Sequence, residues 1–259
     1  MIAQDIIQES LKNEKLRIAK NRRDEIRRMV DYYTDCETDK YIDQHFASSA
    51  FREIPPYSVN FTRRFINKMS RIYNLGADRN VSDEYLFLTR KKNARMKHIE
   101  RMTRLVGTIA NRVMLKEDAN GKYFEYRPIY YYDAFFDEDP FLPMAITYPL
   151  LLPVNDISNA DKMHYAYFDD QHYAEYDEEG NIVNQYEHGF GVLPFVFTHR
   201  EDQIDSHFVE GANDIINVNE QVNITMTEMQ LGLRFQMFGQ PVTTGADIDK
   251  NISRTGSDS

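Results

Sequence analysis

With 259 residues, 42% hydrophobic and 13% aromatic, the chain holds enough apolar material for one large or two small cores, which excludes disorder throughout. A formal net charge of −10 argues against a protein that coats nucleic acid. The single cysteine, Cys36, excludes an intrachain disulfide and points to a reducing compartment, and no apolar run approaches the length of a membrane span or a signal peptide.

The charge is unevenly spread. Residues 60–116 carry 14 Lys/Arg against 4 Asp/Glu, and residues 117–210 carry 4 Lys/Arg against 20 Asp/Glu. Three readings fit: two independently solvated surfaces, a basic face for a phosphate backbone, or opposite patches that match between domains or subunits. Of the two sharper readings subunit complementarity is preferred, because complementary charge fixes register in assemblies.

In chain order, residues 2–33 read as one charged helix. Its thin apolar set is Ile2, Ile6, Ile7, Leu11, Leu16, Ile18, Ile26, Met29 and Val30, with Asp24 and Arg28 one turn apart. A short helix is expected over 40–47, with His45 an ordinary surface or packed histidine and Cys36 an incidental thiol. Ser58 is a plausible N-cap for a basic amphipathic helix over 59–73. There Phe61, Phe65, Ile66, Met69, Ile72 and Tyr73 form the stripe, and Arg63, Arg64, Lys68 and Arg71 lie opposite. Packing against a core is preferred for it over a membrane or nucleic-acid role. A helix over 81–110 starts at Ser82-Asp83-Glu84. It exposes the basic run 90–97 and packs Met102, Leu105, Val106 and Ile109, while Gly107 marks a close approach or the start of a strand.

From Gly107 the period changes. Residues 108–115 and 123–129 read as two strands around Asn120-Gly121, the strongest short-range hairpin signal. An acidic loop over 136–140 and a strand over 145–148 follow. Strands over 162–168, 172–176 and 182–186 continue into 192–197, so 164–197 is expected to form one antiparallel meander.

The longest helical pattern runs from about Gly211 to Phe238, roughly 40 Å if fully helical. Ile215, Val218, Val222, Met226, Met229 and Leu233 fall on one face at amphipathic spacing. Asn217, Asn219, Asn223, Thr225 and Thr227, poor helix formers, cover the rest. Such a helix needs neighbours, from its own chain or from other copies. Gly239 is expected to cap it and Pro241 to stop it. After Gly245 the chain turns polar.

Two groups could do chemistry. Asp133, Asp137, Glu138 and Asp139 are clustered carboxylates, and His164, Asp169, Asp170 and His172 have the residue types of a divalent-metal site. Solvated turns are the preferred reading of both. No P-loop, dinucleotide glycine fingerprint or nucleophile elbow is present, so no catalytic, cofactor or metal residue is expected.

The order of motifs resembles the portal proteins of tailed bacteriophages. One match is Gly191 and Pro194 in an apolar strand, Asp214, Ile215, Gln221 and Asn223 in a long helix, then Pro241 and Gly245. A second is Gly107, Arg112-Val113, the Asn120-Gly121 turn, Pro128-Ile129, the Asp139-Pro140 loop and Ala145-Ile146-Thr147-Tyr148. Arg71-Ile72-Tyr73 stands where that family ends an early wing helix. The sequence by itself supports an α+β fold with N-terminal helices, a central antiparallel β meander and one long C-terminal helix, and the resemblance agrees with it. It divides the chain into a helical segment 1–57, a wing-like domain 58–205, a stem-like helix 206–239 and the start of a clip or a tail at 240–259.

It further implies a non-enzymatic ring of about twelve copies at one capsid vertex. Double-stranded DNA would pass through its channel in packaging and ejection. Partners would be the terminase large subunit, capsid and scaffold proteins and a head–tail adaptor, without cofactor or membrane, in the virion and in the host cytoplasm during assembly. The stem stripe Ile215, Val218, Val222, Met226, Met229 and Leu233 would pack the helix. The rest of the clip, a second stem helix and a crown, usual in that family, are not in this sequence, so a truncated or shortened relative is expected. The rivals are a metal-dependent hydrolase or nuclease using the Asp/His loops, and a head–tail adaptor.

Overall fold

The computed structural model describes residues 5, 7, 8, 17–36, 38–46, 56–75, 77–150 and 163–237. The helices are α1 (Arg17–Thr34), α2 (Asp39–Asp43), α3 (Thr62–Met69), α4 (Asp83–Leu88), α5 (Lys92–Val106) and α6 (Asn213–Met237). The strands are β1 (Thr108–Asp118), β2 (Gly121–Ile129), β3 (Asp133–Phe135), β4 (Ala145–Leu150), β5 (His164–Phe168), β6 (His172–Tyr176), β7 (Ile182–Glu187) and β8 (Phe195–His199). The fold is therefore α+β with antiparallel sheets and a long C-terminal helix. The parts of the expected helix 2–33 before Arg17, apart from residues 5, 7 and 8, and the expected stop at Gly239, Pro241 and Gly245, lie outside the described residues.

Two compact units are defined. One comprises Met1–Cys36 with Phe61–Ile216, the other Glu37–Asn60 with Asn217–Ser259. This division differs from boundaries near 57, 205 and 239. α1 belongs with the sheets, whereas Glu37–Asn60 belongs with the body of α6.

In the first unit α1 buries Ile26, Met29 and Tyr32, and α5 buries Ile99, Met102, Leu105 and Val106, the three-to-four-residue spacing of one helix face. The expected single helix over 81–110 is broken. Ser82 Oγ accepts from Tyr85 N–H at 3.3 Å as the N-cap of α4, and α4 ends at Leu88. Arg90, in the turn between α4 and α5, then reaches the hairpin, donating to Gly121 O, Lys122 O and Asp118 at 3.0, 2.9 and 2.8 Å. A continuous helix would compete with that anchoring turn. Ser58 does not cap the next helix; α3 starts at Thr62 behind Phe61 with no side-chain cap bond.

Gly107 joins α5 to β1 at φ +93°, and its N–H closes the helix on Thr103 O. A Cβ there would lie 2.1 Å from Val209 O, so glycine is required by both conformation and space.

β1 is the middle strand of the sheet β2-β1-β8, paired with β2 from Ala110↔Ile129 to Asp118↔Gly121. The hairpin expected at Asn120-Gly121 is therefore present. The second sheet runs β3-β4-β5-β6-β7, all antiparallel. The meander expected through 197 stops at β7, and β8 pairs instead with β1, from Thr108↔His199 to Arg112↔Phe195. Gly189 and Gly191, at φ +67° and +66°, turn the chain out of the meander. The strand then starts after Pro194, with Val192 left exposed. Between the sheets Ala110, Ile129, Tyr132, Ile146, Tyr148, Phe168 and Phe195 form the main buried cluster.

Candidate functional site: the long helix and its two faces

In the second unit α6 is read by a short extended segment. Val59 N–H donates to Asn223 Oδ1 at 3.0 Å, Asn219 Nδ2 donates to Val59 O at 3.2 Å, and Tyr57 N–H donates to Thr227 Oγ1 at 2.9 Å. Thr227 Oγ1 in turn donates to Asn223 O at 2.8 Å. Asn219 and Asn223 thus hold both backbone groups of Val59, and Thr227, one turn further on, accepts from the N–H of Tyr57. All three are buried. The polar positions that weaken the helix intrinsically supply partners for backbone groups that would otherwise be buried unpaired.

The covered face of α6 is thus Ile216, Asn219, Asn223, Ile224, Thr227 and Leu231. It is a different face from the apolar stripe expected to meet this chain or other copies. Within one chain Val218, Val222, Met229 and Leu233 are 65%, 38%, 55% and 57% exposed, and Ile215 and Met226 are half-buried. The apolar stripe lies about 120° around the helix from the covered face at 100° per residue. Of the two neighbours expected for the stripe, its own chain or other copies, the described residues of its own chain cover instead the side of Asn219, Asn223 and Thr227. From Ile215 to Leu233 the apolar stripe runs about 27 Å along α6, and the described residues leave it largely uncovered.

The two loops considered for metal chemistry are not assembled into a site. β5 and β6 pair Tyr165 with Tyr176 and Phe168 with Tyr173, so His164 and Asp169 sit at opposite ends of β5, roughly 16 Å apart along the strand. His164 Nδ1 pairs with Glu175 at 2.6 Å. Asp169 accepts from Gln171 N–H and Tyr167 O–H at 2.8 and 3.0 Å and from His172 N–H, as a turn residue does. Burial raises the Asp169 carboxyl, but those donors outweigh it and hold it below the usual range. Asp170 is exposed. In the other cluster Asp133 is committed to Arg22 and Arg23 at 3.4 and 2.8 Å, and Asp139 accepts from Phe141 N–H at 2.8 Å. Among the described residues no group of three His, Cys, Asp or Glu could hold a metal ion.

Sequence reasoning passed over His207. It is buried, donates from Nδ1 to Phe141 O at 3.0 Å and accepts at Nε2 from Tyr132 O–H at 2.9 Å. Burial pushes it down to about 4; the bond to Phe141 acts in the opposite direction, and His199 and Arg22 add to the depression. It ties the acidic loop to the core. A lone histidine between Ser206 and Phe208 carries no local pattern that marks it.

The charge asymmetry is partly resolved inside the first unit. Arg90 and Lys91 pair with Asp118 at 2.8 and 2.9 Å, Arg95 pairs with Glu125 at 3.1 Å, and Lys116 also pairs with Glu125. Asp118 is held down to about 2, first by Lys91, then by the Asn120 N–H and Arg90. Against the three-stranded sheet lies an apolar cavity of about 310 Å³, lined by Tyr85, Met96, Ile99, Val113, Phe124 and Tyr126, with Lys92 its one charged lining residue. It holds no acid–base pair.

No protein-family model matches the chain, and no curated protein is significantly similar to it. Among the described residues no helix is long and apolar enough to cross a membrane.

Proposed function

We propose that the chain is a structural subunit of a tailed-phage portal. In this reading α6 lies beside its counterparts in a ring around a DNA channel at a capsid vertex, with terminase, adaptor and capsid proteins as partners. The observation that carries it is the unpartnered apolar seam of α6 beside a covered polar face. A helix with one face tied to its own chain and an apolar face left open is built for lateral packing with copies of itself. The order of motifs from Arg71 to Gly245 supports the same reading. The net charge of −10 suits a wall past which DNA slides without being held.

Mass photometry with negative-stain images of the same sample tests it. A closed ring of roughly a dozen copies is expected. A strict monomer up to high micromolar concentration would overturn it.

A further inference from the structure

A second exposed surface in the first unit has the chemistry of a docking site, and its complement lies elsewhere on the same unit. α3 buries Thr62 and Ile66. Beside that buried face it exposes Phe65 and Met69, and the turn that follows exposes Ile72 and Leu75 at 69% and 101%. Arg64, Lys68 and Arg71 flank this apolar strip, all exposed and without an ion pair among the described residues. The turn is fixed: Ile72 and Tyr73 N–H both donate to the buried Glu100 carboxylate at 3.2 and 3.3 Å. The patch is therefore preformed, apolar along its middle and basic along one side.

The loop 136–144 is its opposite. Asp137, Glu138 and Asp139 are exposed, as are Phe141, Leu142 and Met144. It too is held in shape, by His207 on Phe141 O, by Asp139 on Phe141 N–H and by Met144 N–H on Phe135 O at 2.8 Å. Neither surface is covered among the described residues. A phosphate backbone would use the three cations but leave the apolar strip wet, whereas the loop offers carboxylates and apolar side chains together.

We infer that the α3 patch (Arg64, Phe65, Lys68, Met69, Ile72, Leu75) receives the acidic loop 136–144 of a second copy of this chain. The contact is heterologous, one patch against a different one, so repetition closes a ring or extends a filament. Each side is held by its own hydrogen bonds, which lowers the ordering that opposes association. The inference rests on the reading that copies of the chain assemble, and it names one of the surfaces through which they do.

Charge reversal tests it. The variants Arg64→Glu/Lys68→Glu and Asp137→Lys/Glu138→Lys alter only exposed side chains, and unchanged circular dichroism and thermal midpoint verify the fold. Each alone is expected to raise the concentration for half-assembly at least about tenfold, and the four changes combined in one chain to restore assembly towards wild type. If wild type assembles and either double variant assembles equally well, this interface is wrong and the ring reading stands. A monomeric wild type would remove both. Failure of the fourfold variant to recover also rejects the pairing. Unchanged mass with loss of duplex-DNA binding in Arg64→Glu/Lys68→Glu would reassign the patch to nucleic acid.

Discussion

Single residues carry much of the first unit's specification, and His207 sets its response to acid. Its ordinary value is 6.5 and in the fold it lies at about 4. As pH falls from about 6.5 to 4, the unfolded chain binds a proton that the folded chain refuses, so stability is complete above this window and declines across it. His98 and His199 are lowered as well, first by burial, and act with the same sign. Urea midpoints measured across pH 7 to 4 should therefore fall, and His207→Gln should flatten part of the slope whatever it does to the midpoint at pH 7. A slope identical to wild type would show that His207 does not govern it. Gly107 is the second such residue. Gly107→Ala forces a Cβ against the Val209 carbonyl and an L side chain into φ +93°. It should cost at least about 2 kcal/mol by denaturation. A loss under 0.5 kcal/mol, roughly the scatter of surface substitutions, would mean the 209–210 backbone yields freely.

At the scale of elements, α6 combines two jobs on adjacent faces. Asn223→Ala leaves the Val59 N–H without its acceptor and should destabilise the second unit by about 1–3 kcal/mol. Thr225→Ala, exposed on the same helix, should be neutral or slightly stabilising. Equal effects in the two variants would sink the ladder as the organising contact. Met229→Asp, on the seam, should leave the monomer's thermal midpoint unchanged and abolish assembly; an intact oligomer would remove the seam from the interface. What was legible in the sequence follows from the range of each determinant. The Asn120-Gly121 hairpin, the helix start at Ser82 and strand 172–176 depend on neighbours within a few residues, and they are present as read. The break of the helix at Arg90 depends on a hairpin some thirty residues away. The buried face of α6 depends on Val59, 164 residues from Asn223. Periodicity ranks faces by hydrophobicity, so it marks only the Ile215–Leu233 stripe. It is blind to an extended segment that makes asparagine the better residue to bury. Strand β8 was misassigned for the same reason, since its choice between two sheets is made by partners distant in sequence.

Across the whole molecule the two units are stabilised by different physics. The first buries a large aromatic and aliphatic set, with Tyr132, Phe168, Ile109, Leu105 and Ile146 fully buried, and contains two antiparallel sheets. Among the described residues the second buries far less: Ile42, Ile224 and Leu231, with much of the α6 contact made by Asn219, Asn223 and Thr227. Burial of apolar surface contributes about 25 cal/mol per Å², while a net hydrogen bond contributes only about 1 kcal/mol. The second unit should therefore open at a lower free energy than the first, as a separate cooperative step. Native-state hydrogen exchange in increasing denaturant measures this directly. The amides of Val59, Asn223 and Thr227 should exchange through a sub-global opening, with a smaller denaturant slope than Ile109 and Ala110 in β1. Assembly should raise the protection of α6 selectively, because copies packing on its apolar seam bury the surface that the isolated chain leaves wet. If the α6 amides exchange with the same free energy and slope as those of β1 in the unassembled chain, the chain unfolds as one body and the polar ladder is as strong as a core. If assembly protects β1 more than α6, the seam of the long helix is not where copies meet.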